Sequence, residues 1–373
     1  MTKAKYLQDT NVLAFLKWLR ERQKPNGFVH EYYDGYARKN WKCASLHEAF
    51  KKYHWKGRDY AETSGTLANY SDRLIDAFTR RDLGELSTVW TEIYAWGGLG
   101  IFPFFQNYLN IHTAEDRYRE LKALLAWWDD PSLNYQNDAG LKIDSALTKV
   151  YSLFLKNFVI YDGRVGAAMG LLVRRFFEDN PSLFHEKNWS EGHALYFAYG
   201  DGQRDKKGRL LNQSRDPSDE HGGISFSRLK NDWCRMQMNV KTSWIVDSVV
   251  GDKDSPFYKM ADGHRAFEAA LFMIGYDLGG PGHGIPSANS TPRQTPPLPP
   301  EKSLVTENGN SKPWKDEKFA ARCNENYQRM GCTQSEAISR SCEEIGFSFN
   351  KMPVMFSASA GRGFREWRNK NWI

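Results

Sequence analysis

Apolar residues recur at helical spacing along most of this chain, and the polar, Gly and Pro positions between them mark where each helix starts and stops. Val12, Leu13, Phe15, Leu16 and Leu19 predict an amphipathic first helix that Pro25-Asn26-Gly27 terminates. Helical patterns follow over Thr63 to Arg80 and Leu86 to Tyr94, the second running into Trp96-Gly97-Gly98-Leu99-Gly100. Thr113-Ala114-Glu115-Asp116 reads as a capping box, opening a helix that buries Tyr118, Leu121, Leu125 and Trp128. Next, Ile143, Leu147, Val150 and Phe154 share one stripe, with Lys149 and Lys156 off it. A short β-branched and aromatic segment, Phe158-Val159-Ile160-Tyr161, stops at Asp162, where Val165, Ala168, Met169, Leu172 and Phe176 begin another helix. Later stripes are Trp233, Met236, Val240 and Trp244, then Phe267, Ala270, Leu271 and Ile274. The fold class this predicts is mainly α.

Breaks in the pattern divide the chain. Pro181 ends the helix after Asp162, and Tyr196 to Ile224, rich in Gly, Asp, Arg and Lys, predicts a long exposed loop or hairpin. From Pro286 to Pro313 the composition shifts to Pro, Ser, Thr, Asn and Gly, the composition of a linker. The expected organisation is a helical region at 1–285, with an N-terminal half at 1–139, central helices at 140–180 and C-terminal helices at 181–285. The linker 286–313 then leads to a small basic and aromatic module at 314–373.

Composition narrows the class. In 373 residues there are 51 basic and 45 acidic side chains, a net charge of +6, with 13 Trp, 18 Tyr and 22 Phe. Mild basicity with many aromatics permits a nucleic-acid partner. Five cysteines without a C-x-x-C pair argue against a zinc ribbon or a disulfide framework and fit a reduced cytosol. Met1 to Gln8 mixes lysines with polar residues and does not read as a signal peptide. Ile93 to Ala114 lacks acidic and basic residues, but its Pro, Gly, Gln and Asn content argues against a membrane span.

Candidate chemistry centres on Asp162. Its position suits a helix N-cap, accepting from amides of the first turn, worth about 1 kcal/mol. The same position would also hold a catalytic carboxylate rigidly. Tyr36 to Arg58 interleaves basic and aromatic residues, which suits phosphates and bases or, equally, a helix around Ser45 to Tyr53 with a wet basic face. The tail segment Gly361 to Ile373 interleaves them again and suits nucleic acid or, equally, docking of the tail by aromatic burial. H-E-x-x-H, C-x-x-C and G-x-S-x-G are absent, and Gly163 to Gly170 lacks the G-x-G-x-x-G order, so zinc, elbow-type hydrolase and dinucleotide folds lack their starting residues.

Thr148-Lys149-Val150 in one helix, with Ile160-Tyr161-Asp162-Gly163-Arg164-Val165 opening the next, resembles the helix-hairpin-helix DNA glycosylase superfamily. The likeness is to its 8-oxoguanine DNA glycosylase branch and to the glycosylase-fold proteins of bacterial antiviral loci. Tyr94-Ala95-Trp96-Gly97-Gly98 and Thr242-Ser243-Trp244 extend it loosely over Leu86 to Leu278. That family's hairpin carries two closely spaced glycines; here Gly140 alone precedes Lys142.

The resemblance implies a DNA N-glycosylase, with possible abasic-site lyase activity, acting without cofactor or metal on double-stranded phage or damaged DNA. The base it implies is a hypermodified phage base, such as glucosylated hydroxymethylcytosine, or an oxidised purine. Asp162 is then the carboxylate that stabilises positive charge on the sugar. Lys149, with Lys142 as the alternative, is the amine that attacks C1′, a role needing the neutral form of a group that ordinarily titrates near ~10.4. Trp96, Gly97 and Gly98 become a wall of the base pocket, and Arg164 a phosphate contact. Trp96 as scaffold and Lys149 as a solvated position on the back of a core helix are the competing readings. At the level of the chain, the alternatives are a non-catalytic DNA-binding protein of the same fold and an interaction protein acting through linker and tail.

Overall fold

The structure, a computed structural model, describes residues 1–34, 37, 39–98, 109, 111–128, 131, 143–200, 214–219 and 223–279. The chain divides between Ala288 and Asn289, and every described residue precedes that point. Gly140, Lys142, the linker and the module at 314–373 therefore lie outside the described residues.

The described part is mainly helical, as its apolar spacing predicts, with one small sheet. Helices α1 (Lys3–Leu7) and α2 (Thr10–Arg22) open the chain, with Asp9 capping α2 through Asn11 and Val12 amides. The hairpin that follows, β1 (His30–Asp34) and β2 (Lys39–Cys43), is antiparallel, with Tyr32 opposite Trp41. The periodicity reading has no strand here, although His30, Tyr32 and Asp34 alternate with exposed Glu31 and Tyr33 as a half-buried strand should. Helix α3 (Leu46–Lys51) starts at a Ser45 cap. Of the readings open for Tyr36 to Arg58, the helix is real but short, and Trp55 is turned inward.

Helices α4 (Tyr60–Arg80), α5 (Leu83–Trp96), α6 (Ala114–Trp128) and α7 (Leu147–Phe154) pack together. The capping box at Thr113 forms, with Thr113 and Asp116 bonding each other's amides. On α6 the buried positions are Arg117, Leu121 and Leu124, whereas Leu125 is 40% exposed. Helix α7 begins at Leu147, a turn later than the Ile143 stripe suggests, because Asp144 accepts from the amides of Ala146 and Leu147 (2.7 and 2.8 Å).

Helices α8 (Gly163–Asp179), α9 (Asp232–Val250) and α10 (Gly263–Ile274) form the second group. Helix α10 packs on α3, α8 and α9, and α2 lies across α8 and α9. The hairpin docks at the end of α10, where the Tyr32 hydroxyl donates to Met273 O (3.0 Å) and Tyr32 stacks on Tyr276. Trp233 on α9 is 45% exposed, while Met236, Val240 and Trp244 of its expected stripe are buried. Tyr196 to Tyr199, Arg215, Pro217 and Ile224 are buried while Asp216 is exposed, so much of the described part of the stretch expected as an exposed loop packs into the interior. No helix among the described residues is long and apolar enough to cross a membrane.

Candidate functional site

Phe158 to Tyr161 is extended but pairs with no strand, and its amides are instead met by buried side chains of three helices. Val159 N donates to Ser243 Oγ of α9 (3.1 Å), Ile160 N to Glu268 Oε2 of α10 (2.7 Å), and Tyr161 N to Thr148 Oγ1 of α7 (2.9 Å). Asn239 ties two of these together: its Nδ2 donates to Thr148 Oγ1 (2.8 Å), and its carbonyl accepts from Ser243 Oγ (2.8 Å). The Tyr161 hydroxyl donates to Ala198 O (2.6 Å). A segment held at three of its four amides cannot slide, so the residue it ends on has a fixed place.

That residue is Asp162. Its Oδ1 accepts from Arg164 N (2.9 Å) and Val165 N (3.1 Å), which starts α8. Its Oδ2 makes no hydrogen bond among the described residues. The first turn of α8 sits tightly on the chain at Gly200: a Cβ on Gly200 would lie 2.7 Å from Gly163 Cα. Two glycines facing each other allow that approach.

Lys149 projects toward the same place from α7. It is 8% exposed, so the reading of a solvated lysine on the back of a helix fails: α7 is enclosed on all sides. Its Nζ donates to Ser145 O. Burial pushes its pKa down; the negative charge of Asp162 opposes this, and Arg235 adds to it. Gly97 leaves room for its stem, since a Cβ there would lie 2.9 Å from Lys149 Cδ and Cε. Gly98, at φ +75°, turns the chain away, and Lys56 Nζ caps the end of α5 at Trp96 O (2.9 Å).

Asp162, Lys149, Trp96, Gly97, Gly98 and Arg164 all line one cavity of about 810 Å³. It lies between α4, the end of α5, α7, the start of α8 and α10. Five basic residues line it, Lys56, Lys149, Arg164, Arg215 and Arg265, against Asp162 and Glu268 as the acidic ones. Tyr53, Trp55, Tyr60 and Phe272 supply flat walls. Arg164 is 9% exposed and lies inside the cavity, its guanidinium carbon 4.2 Å from the ring centre of Phe272, 4.8 Å from Tyr276 and 4.9 Å from Trp55. It faces the interior and also borders a small adjoining cavity lined by Asp34, His54 and Tyr276.

Three further residues of this site have no place in the periodicity reading. Glu268 is buried, accepts from Arg265 Nη1 (2.6 Å) and has its carboxyl pKa pushed up by burial. Its position beside Phe267 on the buried stripe of α10 was the available sign, because a carboxylate rarely sits in a core without a partner. Arg265 also donates to Ser152 O (2.8 Å). Arg215 is 9% exposed and has its pKa lowered to about 10 by burial and then by the charge of Arg164. It falls in a stretch whose composition reads as solvent-exposed, and nothing in its neighbours marks it.

No protein-family model, no curated protein and no solved structure matches the chain, so its function rests on the chemistry of this cavity.

Proposed function

We propose that this chain is a DNA glycosylase of helix-hairpin-helix type, which excises a modified base from double-stranded DNA and acts in defence against phage. One observation carries the reading. A rigidly capped carboxylate with an oxygen to spare, Asp162, shares a cavity with a buried lysine, Lys149, between aromatic walls.

Each part has a task in breaking an N-glycosidic bond. The target nucleotide leaves the duplex and enters the cavity, held between flat side chains. The C1′–N bond then breaks, its electron pair staying with the base, and positive charge develops on the sugar. The free oxygen of Asp162 stabilises that charge, and its pre-set position means no reorganisation is needed. In the hydrolytic route a water oxygen bonds to C1′ and its proton leaves to solvent. In the lysine route the Nζ lone pair bonds to C1′ and the amine gives up a proton; the sugar C1′–O4′ bond then breaks, O4′ takes a proton, and the open sugar is left joined to Lys149 as a Schiff base. The second route needs neutral Lys149, the form that burial favours. The cavity volume falls within the range of sites that enclose drug-sized ligands, roughly 300–1,000 Å³. A hypermodified base such as glucosylated hydroxymethylcytosine therefore has room beside an oxidised purine as candidate substrate.

The test is incubation with plain duplex, duplex carrying 8-oxoguanine and duplex carrying glucosylated hydroxymethylcytosine, followed by alkali to cut at abasic sites. Cleavage is expected with a modified duplex and should fall by on the order of 10²–10³ in Asp162→Asn, the size of losing one pre-set charge-stabilising group. No abasic sites in any duplex, or full activity in Asp162→Asn, would overturn the reading and leave at most a DNA-binding protein. Borohydride trapping of a DNA adduct examines the lysine route. A trap that survives Lys149→Ala but not Lys142→Ala would move the nucleophile to Lys142.

A further inference from the structure

Arg164 stands out among the buried cations. Its backbone amide serves the Asp162 cap, but its guanidinium has no hydrogen bond or ion pair among the described residues. The rings of Phe272, Tyr276 and Trp55 lie against it at 4.2, 4.8 and 4.9 Å. Ring faces soften the loss of water from a cation, but they accept none of its five in-plane N–H bonds. A buried charge left in that state is expensive, and a fork of parallel donors matches a planar acceptor edge, as in a carboxylate or a deprotonated imide. Arg215 adds a second buried guanidinium, close enough for the two charges to act on each other.

The carboxylates nearest Arg164 do not fill its need, while Asp277, whose Oδ1 accepts from the Ser214 and Gly279 amides, acts on Arg215. Glu268 is taken by Arg265 and the Ile160 amide, and Asp34, in the small adjoining cavity, is bonded by His54 and the Ala37 amide. Asp162 gives one oxygen to the start of α8 and forms no ion pair with Arg164. The Arg164 side of the cavity thus holds positive charge, and the Asp162 oxygen holds negative charge.

We propose that Arg164 and Arg215 form an anion subsite that takes the acceptor edge of a planar anionic heterocycle entering the cavity. On the glycosylase reading, on which the next step rests, this occupant is the departing base. When the C1′–N bond breaks, the electron pair moves onto the base, and the two guanidiniums hold that negative charge while Asp162 holds the positive charge on the sugar. The base then takes a proton from solvent and leaves.

The subsite is tested on the full chain by calorimetric titration with orotate, a planar pyrimidine carboxylate, with uracil as the neutral planar control and inorganic phosphate as the non-planar anion. Orotate is expected to bind at least about tenfold tighter than uracil or phosphate, and Arg164→Gln to weaken it by at least about tenfold, as loss of a charge-assisted pair implies. Arg164→Lys, which keeps the charge without the fork, should fall between. Phosphate binding as tightly as orotate, no orotate binding, or orotate affinity unchanged in Arg164→Gln would each overturn the proposal. Should Arg164→Gln fail to fold by near-ultraviolet circular dichroism, Arg215→Gln carries the same test with the same outcomes. Orotate binding without excision of any base removes the glycosylase and keeps the subsite. Excision with orotate affinity indifferent to both arginines does the reverse.

Discussion

At Asp162 the two carboxylate oxygens divide the work: Oδ1 starts α8, and Oδ2 is left for the cavity. Capping and charge stabilisation are compatible, and substitution separates them. Asn keeps an acceptor at Oδ1, so Asp162→Asn should unfold in urea at the wild-type midpoint, whereas Asp162→Ala should lose about 1 kcal/mol with the cap. Lys149 carries a different signature. Its amine titrates in the folded chain below its ordinary range, so between the two values the unfolded chain binds more protons and stability rises with pH. Lys149→Met should therefore be more stable than wild type near pH 7, with the gain fading as pH approaches ~10.4; melting temperature against pH measures it. Lys241, on α9 and remote from this chemistry, is lowered by burial to about 8, so the gain in Lys241→Met should decline between about pH 8 and the ordinary lysine range. Gly97→Ala should displace the Lys149 stem, reducing borohydride trapping more than DNA affinity.

Among the elements, the segment Phe158 to Tyr161 shows how a non-repetitive stretch is fixed. Its β-branched and aromatic residues favour extended backbone, but no strand among the described residues pairs with it, and Thr148, Ser243 and Glu268 take the place of a partner strand. Thr148→Val removes one oxygen and leaves both the Tyr161 amide and the Asn239 side chain unpaired in the interior. It should destabilise the fold by roughly 1–3 kcal/mol for each group stranded. Chemical denaturation gives that value, and a loss below 0.5 kcal/mol would show that the segment is held by packing alone. Helix starts were legible because caps act locally: Thr113 with Asp116 needs only three residues of context. Asp144, which sets the start of α7, was missed because the apolar stripe runs through it to Ile143.

For the whole molecule, every described residue of the cavity precedes the division at Ala288, and so does its packing. A chain ending at Ala288 should keep helical circular dichroism, cooperative unfolding and orotate binding. Loss of base excision alone in that truncation would assign a DNA-holding role to residues 289–373. The sequence by itself determined the mainly helical class and most helix positions, because apolar period and end-caps are written within a few residues of each other, whereas the pairing of Asp162 with Lys149 as candidates came only from the family resemblance those residues carry. It left open whether Lys149 was solvated, where Arg164 pointed, and that Arg215, Glu268 and Arg265 belonged with them. Only the tertiary structure decided these points. Burial on every side of α7, and the convergence of α10 and a polar loop on the start of α8, depend on contacts between residues far apart in the chain, and no local spacing encodes them.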